Sequence, residues 1–252
     1  GDQEIDIISL AKPVTKYAMV LQDPMQVKIA VQKAIYIAKS GRPGPTWIDV
    51  PMDVQGAIVE EDDIPTWNPD NPGAIDALRG DPYISANTVC DFALADDCAI
   101  KQAIDEIFAR LKIARRPVLY AGSGVRTSGC AEQFRELADN LGIPAVVGWH
   151  AVDTIQNSHS SYAGRPGIMG DRPGNFTVEN ADFILTLACR LCIREVSYDW
   201  QNFAPNAWTA QVDVDSAELS KPTLHTNLAL HANLRDVMPL LLKKSRNWTK
   251  LD

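Results

Sequence analysis

The chain has 252 residues, 46% of them apolar and 22% charged, with 24 basic against 32 acidic side chains and a formal charge of -8. That balance can bury the core of one large or two smaller domains and argues against disorder, and an acidic chain without a basic cluster is a poor match for a phosphodiester backbone. No apolar run reaches the ~18–20 residues that span a bilayer, residues 183–189 being the longest. Five cysteines (Cys90, Cys98, Cys130, Cys189 and Cys192) are an odd count without a disulfide framework, which suits a reducing, cytoplasmic compartment. The polar start, Gly-Asp-Gln-Glu, carries no secretory pattern and no initiator Met, so a processed, engineered or fragment boundary is expected there.

In chain order, Asp23-Pro24 places a carboxylate N-cap ahead of Pro at the first helical position. Val27, Ala30, Val31, Ala34, Ile37 and Ala38 then recur at helical spacing, Gly41 offers a left-handed end, and Pro43 stops continuation. Residues 46–50 predict a short strand closed by Pro51. One helix and one or two strands over 1–55 are too little for an independent core. Residues 56–95 hold Glu60-Glu61-Asp62-Asp63 and then Pro65, Pro69, Pro72, Gly73, Gly80 and Pro82, which predicts a polar linker over a surface and a domain boundary.

A regular pattern fills 96–245, ahead of a tail at 246–252. Amphipathic helices are predicted at 99–111 and 131–141, strands at 117–121, 143–147, 183–187 and 209–214, a short helix at 175–180 and a closing helix at 234–244, around a Gly/Pro-rich loop at 148–173. Strands alternating with helices predict an α/β fold with a parallel sheet covered on both faces.

The turn after the 117–121 strand carries Gly122, Gly124 and Gly129, a G-x-G-x4-G spacing ahead of a helix. Glycines there let backbone approach a pyrophosphate, and the helix that follows presents free N–H groups; they equally serve the geometry of a tight strand–helix turn. Cys189-x-x-Cys192 has redox or zinc-type spacing without a second pair. His150, His159, His225 and His231 fall into no ligand spacing. Asp213 and Asp215 end a strand, where a carboxylate holds Mg2+, accepts from a ribose hydroxyl, or caps the next helix; Asp215 reads as a cap. No phosphate-binding Walker loop, G-x-S-x-G elbow, H-E-x-x-H helix or nucleophile triad is present. The residues alone therefore predict a nucleotide-sized site in a binding module, with no catalytic residue and no metal site.

Longer strings are more specific. Ser40-Gly41-Arg42-Pro43-Gly44-Pro45-Thr46-Trp47-Ile48-Asp49-Val50-Pro51 resembles the close of the pyrimidine-binding domain in thiamine-diphosphate enzymes of the acetolactate synthase type, and Thr15-Lys16 resembles that family's T-K stretch. The family's central domain is similar at Arg115-Arg116-Pro117-Val118 through Gly124, at Gly174-Asn175-Phe176-Thr177-Val178-Glu179-Asn180-Ala181-Asp182, at Cys189-Arg190-Leu191 and at Val212-Asp213-Val214-Asp215. These matches fall in the family's order along nearly the whole chain.

The resemblance implies a fragment: the trailing part of the pyrimidine-binding domain (1–55), a linker (56–95) and a doubly wound, mostly parallel, Rossmann-like central domain (96–245). It implies a parent that is a Mg2+-dependent carboligase or decarboxylase of 2-keto acids, a transferase or lyase, assembled as a homodimer or tetramer. Its thiamine diphosphate and Mg2+ sites lie outside this chain, and the chain alone is inactive. The central domain of such enzymes holds FAD, or ADP in acyl-CoA-cleaving lyases and oxalyl-CoA decarboxylases. Carried onto this chain, that nucleotide is contacted by Arg42, Gly122, Gly124, Arg190 and Asp213. Two departures stand out: the family's glycine before the Cys-Arg pair is Ala188, and Leu-Cys-Ile-Arg-Glu follows Arg190 where flavin-binding members carry aromatic and acidic residues. Other readings are a stand-alone nucleotide-binding module and a sirtuin-like NAD enzyme, for which the catalytic His motif and zinc-ribbon cysteines are missing.

Overall fold

The computed structural model describes residues 5–85 and 94–249, which leaves Cys90, part of the expected linker and both chain ends outside the described residues. The chain divides into two compact units, Gly1–Phe92 and Ala93–Asp252.

In the first unit, α1 (Ile7–Ala11) precedes a parallel pair of strands, β1 (Tyr17–Val20) and β2 (Thr46–Asp49), joined through α2 (Val27–Lys39). Asp23 accepts from the Met25 N–H at the head of a 3-10 turn that runs into α2, the start that Asp23-Pro24 predicted. Ala30, Ala34 and Ile37 form the buried stripe of α2, whereas Val31 is exposed. Two short helices follow, α3 (Met52–Gln55) and α4 (Ala74–Leu78). Residues 56–85, expected as linker, run over this unit. The Trp67 N–H donates to Gln32 Oε1 at 2.7 Å and its ring meets Tyr36 edge-on, Leu78 is fully buried, and Ile84 pairs antiparallel with Tyr17.

One buried cation organises the turn between α2 and β2. Lys16, 8% exposed, donates from Nζ to the carbonyls of Ile37 and Ser40 at 2.6 Å and of Arg42 at 3.0 Å. The last carbonyls of a helix have no partner within it and carry its negative dipole end, so an ammonium there is doubly favoured. A Cβ on Gly44 would stand 3.0 Å from Lys16 Cδ, so the small residue in the Gly-Arg-Pro-Gly-Pro turn makes room for the lysine stem.

The second unit is a five-stranded parallel sheet in the order β4-β3-β5-β6-β7. Its elements in sequence are α5 (Asp97–Ile113), β3 (Pro117–Ala121), α6 (Ser123–Thr127), α7 (Ala131–Leu141), β4 (Ala145–Val147), α8 (Arg172–Glu179), β5 (Phe183–Leu187), α9 (Ile193–Val196), β6 (Trp208–Asp213), α10 (Ser216–Leu219), β7 (Leu228–His231) and α11 (Leu234–Ser245). This is the doubly wound α/β arrangement that strand–helix alternation predicted. Leu119, Ala121, Leu185, Leu187 and Val212 face a large core with α5, α7 and α11, whereas Val118, Tyr120, Val146 and Ile184 face a smaller one with Val178 of α8. Residues that alternate in sequence are thus buried on opposite faces.

Two element starts and one strand differ most from expectation. The short helix starts at Arg172 because Asp171 caps it, accepting from the Gly174 N–H at 2.8 Å. β4 starts at Ala145, after Ile143 and Pro144. β7, a four-residue edge strand, had no periodic signal.

Replacing Lys16 with Met keeps the stem and removes the three donated bonds. A hydrogen bond to a charged group is worth ~1.5–3 kcal/mol, so Lys16→Met should cost the first unit about 2 kcal/mol or more. Hydrogen exchange read by mass spectrometry should show faster exchange in peptides covering 12–55 and none in those covering 97–245; equal loosening of both sets overturns the assignment.

Candidate nucleotide site at the switch point

Chain order reverses between β3 and β5, so their carboxyl ends form the crevice where ligands bind in doubly wound sheets. Two chain crossings meet there. The Gly122 N–H donates to the Leu187 carbonyl at 3.0 Å and the Gly124 N–H to the Ala188 carbonyl at 3.1 Å. A Cβ on Gly122 would stand 2.1 Å from the Ala188 carbonyl oxygen, and one on Gly124 2.5 Å from the Ala188 Cβ. Both glycines are therefore required by the approach of the chain's own backbone, and their amides are engaged inside the fold. This turn does not fit a pyrophosphate through those two N–H groups.

Ala188 sits at φ +47° and Leu191 at +46°, the left-handed region that disfavours a side chain. The position where the resembling family carries glycine is thus one where this backbone calls for it. Ala188 is held there by its N–H to Val212 O at 2.8 Å, and Cys189 by Gln211 Nε2, which donates to its carbonyl at 3.0 Å.

Beneath the crossing lies a buried polar cluster. Glu195 is nearly buried and accepts from the Cys192 N–H through Oε2 at 2.8 Å, closing a capping box at the head of α9. Gly148 leaves room for it, since a Cβ there would stand 2.4 Å from Glu195 Oε1. Burial, and then the Glu195 carboxylate, push the Cys189 thiol well above the usual thiol range. Burial, with Cys189 and Glu195 adding to it, does the same to the Tyr120 phenol, whose hydroxyl has no hydrogen-bond partner. Cys189 is buried, whereas reactive thiols sit in partly exposed, electropositive surroundings, so it lacks the setting of a redox cysteine. Among the described residues no group of three His, Cys, Asp or Glu side chains could hold a metal ion.

The remaining expected residues fall in two places. Arg190 Nε is ion-paired with Glu218 Oε1 at 3.0 Å while its guanidinium stays about half exposed, and Lys221 Nζ donates to the carbonyls of Arg190 and Leu191. Asp213 Oδ1 accepts from the Asp215 N–H at 3.0 Å, and Asp215 caps α10 through the Ala217 N–H, as read. Arg190 and Asp213 thus both reach the α10 segment, beside the glycine crossing. Arg42 belongs to the first unit, exposed on the turn that Lys16 holds.

A feature at the same end of the sheet escaped the sequence reading. The 164–174 loop is locked by Asp171, which accepts from Arg165 N, and by Asn175, which exchanges two hydrogen bonds with Gly167. A Cβ on Gly167 would stand 2.3 Å from Arg194 O and one on Gly174 2.5 Å from Arg165 backbone, so four glycines (Gly164, Gly167, Gly170, Gly174) let the loop fold on itself and on α9. The locked loop displays Ile168 and Met169, joined by Trp149 and Ile193, with exposed Arg165, Arg172 and Arg194 around them. Exposed apolar side chains and exposed guanidinium groups on one locked loop are the residue types that a phosphate-bearing ring system uses. The legible signal was the run of glycines ending at Asp171.

Comparison with known proteins bears on this fold directly. Residues 104–241 match the family described as thiamine pyrophosphate enzyme, central domain. The chain belongs to that family. Along 240 residues it is 31% identical to the acetolactate synthase isozyme 1 large subunit of Escherichia coli K12, covering 95% of this chain and 38% of that protein. It is 29% identical to the acetolactate synthase large subunit of Lactococcus lactis, over 97% of this chain and 38% of that protein, and 31% identical to a probable acetolactate synthase large subunit of Methanococcus aeolicus, over 87% and 33%. The chain therefore spans little more than a third of the length of these relatives. No described helix is long and apolar enough to cross a membrane.

At the crossing, Ala188→Gly should relieve the left-handed cost of ~1–2 kcal/mol, less the ~0.5–1 kcal/mol by which glycine favours the unfolded chain, for a net gain of about 0.5–1 kcal/mol in urea unfolding. Gly124→Ala should destabilise by about 2 kcal/mol, and adding Ala188→Gly should recover part of that loss. Strictly additive effects in the double variant contradict the contact.

Proposed function

We propose that the chain is the central-domain portion of a thiamine-diphosphate- and Mg2+-dependent enzyme acting on 2-keto acids, a carboligase or decarboxylase of the acetolactate synthase type. In this reading residues 1–55 are the trailing part of its pyrimidine-binding domain, the parent is a cytoplasmic homodimer or tetramer, and this portion carries a nucleotide, FAD or ADP, at the carboxyl end of the second unit's sheet. The carrying observation is similarity to acetolactate synthase large subunits across nearly the whole chain, in a doubly wound fold.

When bound, thiamine diphosphate supplies the electron sink that lets a 2-keto acid lose CO2. None of its expected ligands is among the residues here, so no step of that chemistry is assigned to this chain. Its own side chains bind and orient. Arg190 meets the phosphates, because a guanidinium presents a fixed fork of donors to phosphate oxygens. Asp213 accepts from a sugar hydroxyl. Gly122 and Gly124 act by letting the crossing close, not by donating to the ligand.

Calorimetric titration of the purified chain with FAD, ADP and NAD tests the nucleotide. Binding of FAD or ADP at one site, weakened about tenfold or more by Arg190→Ala, supports the reading, with FAD marking a flavin-type synthase and ADP an acyl-CoA-type lyase. Binding of none of the three removes the nucleotide role from these residues.

Supplied with thiamine diphosphate and Mg2+, the chain alone should release no CO2 from pyruvate. Sustained release places a catalytic site within these 252 residues and overturns the fragment reading.

A further inference from the structure

The opposite end of the same sheet holds a second opening. A cavity of about 410 Å³, within the range of small-molecule sites, lies where α5, α7 and α8 end and β3 and β4 begin. Its lining is apolar along Pro117, Val118, Ile143 and Pro144, and Arg115 and Arg116 belong to it as well.

The charge of those two arginines decides the ligand. Their peptide N–H groups both donate to the Asp182 carboxylate, at 2.8 Å each, so that acid is used to fix the backbone ahead of β3. Arg116 Nε donates to the Asn180 carbonyl at 2.5 Å, capping the end of α8. Neither guanidinium forms an ion pair with a carboxylate among the described residues, and both side chains are exposed. Trp248 lines the cavity too, and its indole N–H is buried without an acceptor. Apolar walls and two guanidinium groups without a carboxylate partner among the described residues meet at one opening.

We propose that this cavity is a ligand site for a small amphipathic anion: an aromatic or branched apolar body against Pro117, Val118, Ile143 and Pro144, with one carboxylate at Arg115 and Arg116. It is separate from the nucleotide site, since it sits at the amino ends of the strands and that site at their carboxyl ends. It does not depend on whether a nucleotide binds.

Sodium 2-naphthoate is the probe, with 2-naphthalenemethanol as its uncharged counterpart, titrated into the 252-residue chain by calorimetry and heteronuclear NMR. The naphthoate should bind at one site, and the alcohol at least tenfold more weakly. Arg115→Ala, an exposed position, should weaken naphthoate about tenfold and leave the alcohol unchanged. Thr177→Trp, which fills the cavity from a half-buried lining position, should abolish both while the thermal melt is retained. Equal affinity for acid and alcohol, binding indifferent to Arg115→Ala and Thr177→Trp, or no chemical-shift change at millimolar naphthoate each overturns the proposal.

Discussion

Everything at the carboxyl end of the second unit's sheet depends on how closely two stretches of backbone pass each other. Gly122 and Gly124 leave the end of β3 as Ala188 and Cys189 leave the end of β5, and carbonyls of the second stretch accept N–H groups of the first. No side chain fits between them. The contact draws Ala188 into a left-handed conformation that alanine tolerates poorly, and the hydrogen bond from its N–H to Val212 helps to hold it there. Because the crossing is closed, the loops that continue from it, toward α6 on one side and α9 on the other, start from fixed positions.

Closure also explains the polar groups underneath. Tyr120, Cys189 and Glu195 are shut off from water at the junction of β3, β5 and α9. Of these, the carboxylate is the group whose burial costs most, and it is the one given a backbone N–H, from Cys192. The thiol and phenol respond by staying protonated. Lys16 solves the corresponding problem in the first unit with the opposite charge, three carbonyls surrounding one ammonium. In both units a buried charged side chain holds backbone, and a glycine beside it, Gly148 or Gly44, gives it space.

These pairings set the limit on what could be read from sequence. α2, α5, α7, β3 and β5 were legible because each buries a face whose period shows in the order of apolar residues. β7 was not, since four residues ending in His231 have too little length for a period. The packing of residues 56–85 was hidden for a related reason: buried Leu78 and partly buried Trp67 and Ile84 follow no sustained period and are covered by tertiary contact. The site shows a sharper limit. A glycine records that something comes close and leaves open what it is. Gly122 and Gly124 were compatible with a phosphate or with backbone, and backbone occupies that space.

Locating function on this sheet therefore turns on which groups still have capacity after the fold has used the rest. At the carboxyl end the backbone amides of the crossing are engaged, and the groups that keep capacity are side chains on the loop locked by Asp171 and Asn175 and on the segment around Arg190. A rigid loop that exposes Met169 and Ile168 loses little entropy when a ring system covers them, which is how preorganisation turns buried area into affinity. At the amino end the helix carbonyls are capped partly by Arg116, and the leftover capacity is positive charge. The two ends of one sheet thus differ in what they have left to offer: exposed apolar and arginine side chains on a fixed loop at one, and at the other an apolar cavity whose cations lack carboxylate partners among the described residues.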